Sequence, residues 1–94
     1  ELKLINSFNS LVENEVINMI ISENNVRKIR EYLITNEEKF SADYINLAGE
    51  LFNYYQNDAK KMIIIADYIY KMTVVFDKEI QFTAMLTELK NKGN

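Results

Sequence analysis

The feature of this sequence that most constrains its fold is the near absence of residues that interrupt helices. Proline does not occur among the 94 residues, and glycine occurs only at Gly49 and Gly93. Proline breaks helix interiors and glycine costs about 1 kcal/mol there relative to alanine, whereas the tight turns of β and α/β domains usually need both. The sequence therefore predicts an all-α protein, a compact bundle of four to five short helices joined by short polar connections.

The length and composition are sufficient for one modest hydrophobic core. Hydrophobic residues make up 48% of the chain and charged residues 27%, which is ordinary for a folded domain. We predict a single helical domain spanning residues 1–94. The alternative is a fragment of a larger helical protein, which the absence of an initial methionine also allows.

Several kinds of chemistry are excluded by residues that the chain lacks. It contains no cysteine and no histidine, so it has no thiolate nucleophile, no cysteine zinc site and no imidazole base or ligand. The carboxylates considered as candidates for catalysis are interpreted as solvated or ion-paired surface groups (Glu13, Glu15, Glu37, Glu38 and Asp67). Lys71, four residues after Asp67, is a predicted partner for it. We therefore predict that the chain is not an enzyme and has no metal and no cofactor.

Charge and hydropathy limit the kinds of partner that the chain is expected to bind. The net charge is −3 and the sequence pI about 4.9, which argues against binding a phosphate backbone as the main task. The longest uninterrupted apolar run is residues 62–66, far below the roughly 20 residues that span a bilayer. We expect no membrane partner and a cytoplasmic location. The richness in Asn, Ile, Lys, Glu and Tyr is typical of A/T-rich coding sequences and favours a low-GC bacterium or phage as the source.

Two helices are predicted in the first part of the chain. The first runs from about Leu2 to Ile21, and its apolar stripe has helical spacing (Ile5, Phe8, Val12, Val16 and Met19). Ser22 is the predicted N-cap of the second helix. The second helix buries Val26, Ile29 and Leu33 and ends near Thr35 or Asn36.

The third predicted helix begins after Ser41 as N-cap, with Asp43 in its first turn, and ends near Gln56. Its apolar residues cover half of the helical wheel (Tyr44, Ile45, Leu47, Ala48, Leu51, Phe52, Tyr54 and Tyr55). Four of them have the spacing of the first helix of a tetratricopeptide unit, which they resemble (Tyr44, Leu47, Ala48 and Leu51). Because the pattern has no second copy, we interpret it as an ordinary helical hairpin.

The fourth helix, predicted over about residues 59–76 with Asp58 as N-cap, is apolar around most of its circumference. Its strongest face is predicted to enter the core (Met62, Ile65, Ala66, Ile69, Met72 and Phe76). Further apolar residues occupy the opposite side (Ile63, Ile64, Tyr68, Tyr70, Val74 and Val75). Only Lys60, Asp67 and Lys71 form a polar row. Such a helix is either central in its bundle or buried at an interface.

A final helix is predicted from about Lys78 to Lys90, with Asp77 as a candidate N-cap. Its apolar face consists of Ile80, Phe82, Met85, Leu86 and Leu89. The alternative is that Asp77 lies inside one long helix that joins the last two segments.

The chain has six tyrosines and no tryptophan, and four of the tyrosines flank the turn between the third and fourth helices. Tyrosine has an apolar body and a polar tip, so it suits both core edges and interfaces. One interpretation is that these rings close the rim of the core. The other is a partner-binding surface made of Tyr54, Ile64, Tyr68, Tyr70 and Val75.

A small basic patch is formed by Arg27, Lys28 and Arg30, next to Tyr32. Basic residues beside aromatic rings occur in nucleic-acid binders, but an ion pair between Arg27 and Glu31, four residues apart, is an alternative explanation. Contact with an acidic protein partner is an interpretation of the patch at least as good as nucleic-acid binding.

The hypothesis we favour from the sequence is a non-enzymatic protein–protein interaction module. Within that class we favour a small regulator or neutraliser, such as an antitoxin, an immunity protein or a phage-type inhibitor, because size, acidity and helicity fit one. The alternatives are a structural homodimer or a subunit completed by another chain, and a weak nucleic-acid-binding regulator that uses Arg27, Lys28 and Arg30.

Overall fold

The structure is a computed structural model, and it describes residues 15–92. The described residues form helices joined by short connections, without a β-strand, which confirms the all-α fold class. The helices are α1 (15–22 of the described residues), α2 (Val26–Thr35), a 3-10 helix (Glu37–Phe40), α3 (Tyr44–Tyr54), α4 (Ala59–Val74) and α5 (Lys78–Lys92). Within this range, each helix is too short or too polar to cross a bilayer.

The chain divides into two compact units, Glu1–Ala42 and Asp43–Asn94. The first contains α1, α2 and the 3-10 helix, and the second contains α3, α4 and α5. The single-domain organisation stays a prediction.

In α1, the buried residues are Val16, Ile17 and Ile20, and Met19 is half-buried. The predicted stripe is confirmed at Val16, while its earlier members Ile5, Phe8 and Val12 lie outside the described residues. The burial of Ile17 and Ile20 was not predicted. Because successive residues are about 100° apart, a face centred on Ile20 takes in both Val16 and Ile17 and leaves Met19 at its edge.

The start of α2 differs from the prediction, since Asn25 and not Ser22 is its N-cap. The Asn25 Oδ1 accepts the backbone N–H groups of Arg27 and Lys28, at 3.0 and 3.4 Å. Ser22 belongs to the last turn of α1, where its Oγ donates to the carbonyl oxygen of Met19. The predicted buried edge is confirmed at Ile29 and Leu33, with Val26 half-buried, and α2 ends at Thr35 as expected.

The segment between α2 and α3 contains a 3-10 helix that the sequence did not predict, Glu37–Phe40. It buries Phe40. It is followed by Ser41 and Ala42, both with left-handed backbone at φ 56° and 53°, so the predicted capping role of Ser41 is wrong. Asp43 caps α3 instead, because its Oδ1 accepts the backbone N–H of Asn46 at 2.9 Å.

The second unit is a set of three helices in mutual contact, in which α4 packs against both α3 and α5, and α3 also contacts α5. Its fully or nearly fully buried side chains are Tyr44, Leu47, Ala48 and Leu51 of α3, Ile65 and Met72 of α4, and Phe82, Met85, Leu86 and Leu89 of α5. The rings of Tyr44 and Phe82 pack with centroids 5.4 Å apart. The predicted hairpin of the third and fourth helices is therefore confirmed.

Different features determine where α4 begins and where it ends. At its start, Asp58 is the N-cap as predicted, with Oδ1 accepting the backbone N–H of Lys61 at 3.3 Å. At its end, Val75 is extended (φ −107°, ψ 158°), so the helix stops at Val74 and a single helix through Asp77 is excluded.

Two residues predicted to be in the core are exposed, one because of this break and the other because of its position around α5. Phe76 is fully exposed because it lies beyond the end of α4 and does not continue the stripe of Met72. Ile80 is exposed because it lies two residues before the buried Phe82, and two residues correspond to about 200° on a helix.

Candidate functional site

The most unusual surface of the second unit is an exposed apolar row on α4, which we name the outer strip. It consists of Ala59, Ile63, Ala66, Tyr70 and Val74, all of which are exposed. Their spacing of four, three, four and four residues keeps them within about 80° of one another on the helix. The three large members expose 70% (Ile63), 68% (Tyr70) and 66% (Val74) of their surface. An outward-facing row of large apolar groups on a short domain marks an interaction surface more often than a scattered apolar residue does.

The outer strip lies opposite the core side of α4, where Ile65 and Met72 are fully buried. One flank of the strip is apolar and consists of the half-buried Met62 and Ile69. The other flank is charged and consists of Lys60, Asp67 and Lys71, all exposed, as the predicted polar row required. The Lys71 ammonium pairs with the Asp67 carboxylate at 3.1 Å, and this hydrogen bond raises the pKa of Lys71.

The predicted partner-binding residues do not lie on one face of α4. Tyr70 belongs to the outer strip, whereas Ile64 and Tyr68 are half-buried on the far side of the charged flank. The Lys71 ammonium lies 4.5 Å from the centroid of the Tyr68 ring. The Tyr68 hydroxyl is hydrogen-bonded to Glu88 of α5, so Tyr68 joins α4 to α5 on that side. Partial burial and this hydrogen bond raise the pKa of the Tyr68 hydroxyl.

The other two predicted residues, Tyr54 and Val75, lie at helix ends. Tyr54 is the last residue of α3 and exposes 57% of its surface, while Val75 is half-buried just after α4. The ring of Tyr54 meets that of Tyr55 edge to face, with centroids 4.9 Å apart.

Tyr55 lies in the α3–α4 connection, directly after the last residue of α3. It is half-buried, and the Lys61 ammonium lies 4.9 Å from its ring centroid. Lys61 also pairs with Asp58 at 3.9 Å. Burial, together with the neighbouring Tyr54 and Asp58, raises the pKa of Tyr55. This geometry supports the core-rim interpretation for Tyr55 and leaves Tyr54 as its exposed neighbour.

Sequence reasoning placed Ala66 on the core face and did not include Ile63, Ala66 or Val74 in the predicted surface. The structure corrects Ala66, which is exposed, and makes Met62 and Ile69 half-buried edges of the core. A signal for the outer strip is present in the sequence, because its spacing is as regular as that of the inner face. The pattern indicated the inner face as the stronger one, and Ile65 and Met72 of that face are buried as predicted.

The predicted basic residues lie on the exposed surface of α2. Arg27 and Arg30 are three residues apart and share a side of the helix with Ile34, whereas Lys28 lies about 100° from Arg27 and farther from Arg30. Within residues 15–92, no ion pair joins Arg27 to Glu31. The three basic side chains therefore do not form one compact patch, and a role in nucleic-acid binding stays a prediction.

Four of the five carboxylates interpreted as surface groups lie within the described residues, and none of these four is buried. Glu15 is exposed and pairs with Lys39 at 3.6 Å, and Glu38 and Asp67 are also exposed. In this part of the chain, no group of three acidic side chains is arranged to hold a metal ion. Glu13 lies outside the described residues.

Comparisons of this chain with protein-family models, with curated proteins and with solved structures give no match.

Proposed function

We propose that this chain is a non-enzymatic protein–protein interaction module and that it binds its partner through the outer strip of α4. The observation that carries the proposal is the exposure of Ile63, Tyr70 and Val74 on a helix whose opposite side forms the core of the unit.

The composition of the surface supports this use. Fully burying an isoleucine or valine side chain contributes about 1.5–3 kcal/mol, and tyrosine is among the residues that most often anchor interfaces. The charged flank of Lys60, Asp67 and Lys71 supplies a polar rim along one side of the strip, and protein interfaces have polar rims beside an apolar centre.

The class of module is a further part of the proposal. We favour a small regulator or neutraliser, such as an antitoxin, an immunity protein or a phage-type inhibitor. This part rests on the small size, acidity and helicity of the chain, because the outer strip supports a protein contact without specifying its consequence.

The experiment is a capture assay from an extract of the source organism with a strip variant and a matched control. Ile63→Glu/Tyr70→Glu places two carboxylates on the outer strip. Asn53→Glu/Thr87→Glu adds the same charge at exposed positions on α3 and α5. Circular dichroism verifies that both variants keep their helices.

We expect a protein that is retained by the wild type and the control and lost from the strip variant. With the purified partner, the affinity of the strip variant should fall at least about 30-fold, as the loss of an interface anchor worth 2 kcal/mol implies. Equal retention of every captured protein by all three chains would contradict the proposal.

A further inference from the structure

We draw no further inference here: the strongest candidate, the outer strip on the exposed face of α4, belongs to the site already described, and nothing in the structure shows what covers it.

Discussion

The inner and outer faces of α4 have similar apolar composition and opposite environments. The inner face contributes Ile65 and Met72, both fully buried, while the outer face carries Ile63, Tyr70 and Val74, all largely exposed. Hydrophobicity drives a face out of water but does not say which surface will cover it. The difference therefore shows that α3 and α5 cover one side of a helix that has two apolar sides, and that the second side is exposed.

The largest expected difference between a buried and an exposed side chain concerns two phenylalanines of the same unit. Phe82→Ala should lower the free energy of unfolding by about 3–5 kcal/mol, because it removes a fully buried ring that packs on Tyr44. Phe76→Ala, at a fully exposed position, should change it by less than about 0.5 kcal/mol. Urea denaturation of both variants measures the difference, and comparable losses would show that Phe76 is covered in the folded monomer.

A matched pair on α4 compares the two faces directly. Ile65→Ala creates a cavity in the core and should cost about 2–5 kcal/mol, whereas Ile63→Ala should cost less than about 0.5 kcal/mol. Both values come from denaturation at a concentration where the chain is monomeric. If the strip is buried in a dimer, association adds to stability. At higher concentration, Ile63→Ala should then also lower the denaturation midpoint relative to that of the wild type.

Removing the N-cap of α4 should affect the helix that supports both faces. Asp58→Ala leaves the Lys61 backbone N–H without its side-chain acceptor and should cost about 1 kcal/mol. Asp58→Asn, which keeps an acceptor oxygen and removes the charge, should retain most of that stability. If the two substitutions cost the same, the ion pair with Lys61 is the stabilising contact and the cap is not.

The smallest expected effect concerns Tyr68, on the border between the faces. Burial and the hydrogen bond to Glu88 raise its pKa above the usual 10.0. Because the folded state holds the proton more tightly than the unfolded state, this contribution is complete below the usual pKa and is lost as the pH rises above it. Tyr68→Phe should therefore lose less stability than the wild type on alkaline titration, as measured by thermal denaturation. A steeper loss for Tyr68→Phe would contradict this sign.

The N-cap of α4 was predicted correctly, since Asp58, which immediately precedes the apolar helix, caps it. The start of α2 offered Ser22 and Asn25 within three residues, and both types cap helices well, so the choice depended on where α1 ended. Ser41 and Asp43 presented the same ambiguity, and the left-handed turn after Phe40 decided it in favour of Asp43.

The sequence by itself determined that the described chain is helical, because it contains almost no residue that stops a helix and its apolar residues recur at helical spacing. It also determined the α3–α4 hairpin and the polar row of Lys60, Asp67 and Lys71. Only the tertiary structure decided that Ala66 lies outside the core side of α4, on which the predicted Ile65 and Met72 are buried, and that Phe76 and Ile80 are exposed. Periodicity specifies the direction of a face around one helix, whereas burial depends on which other helices pack against that face.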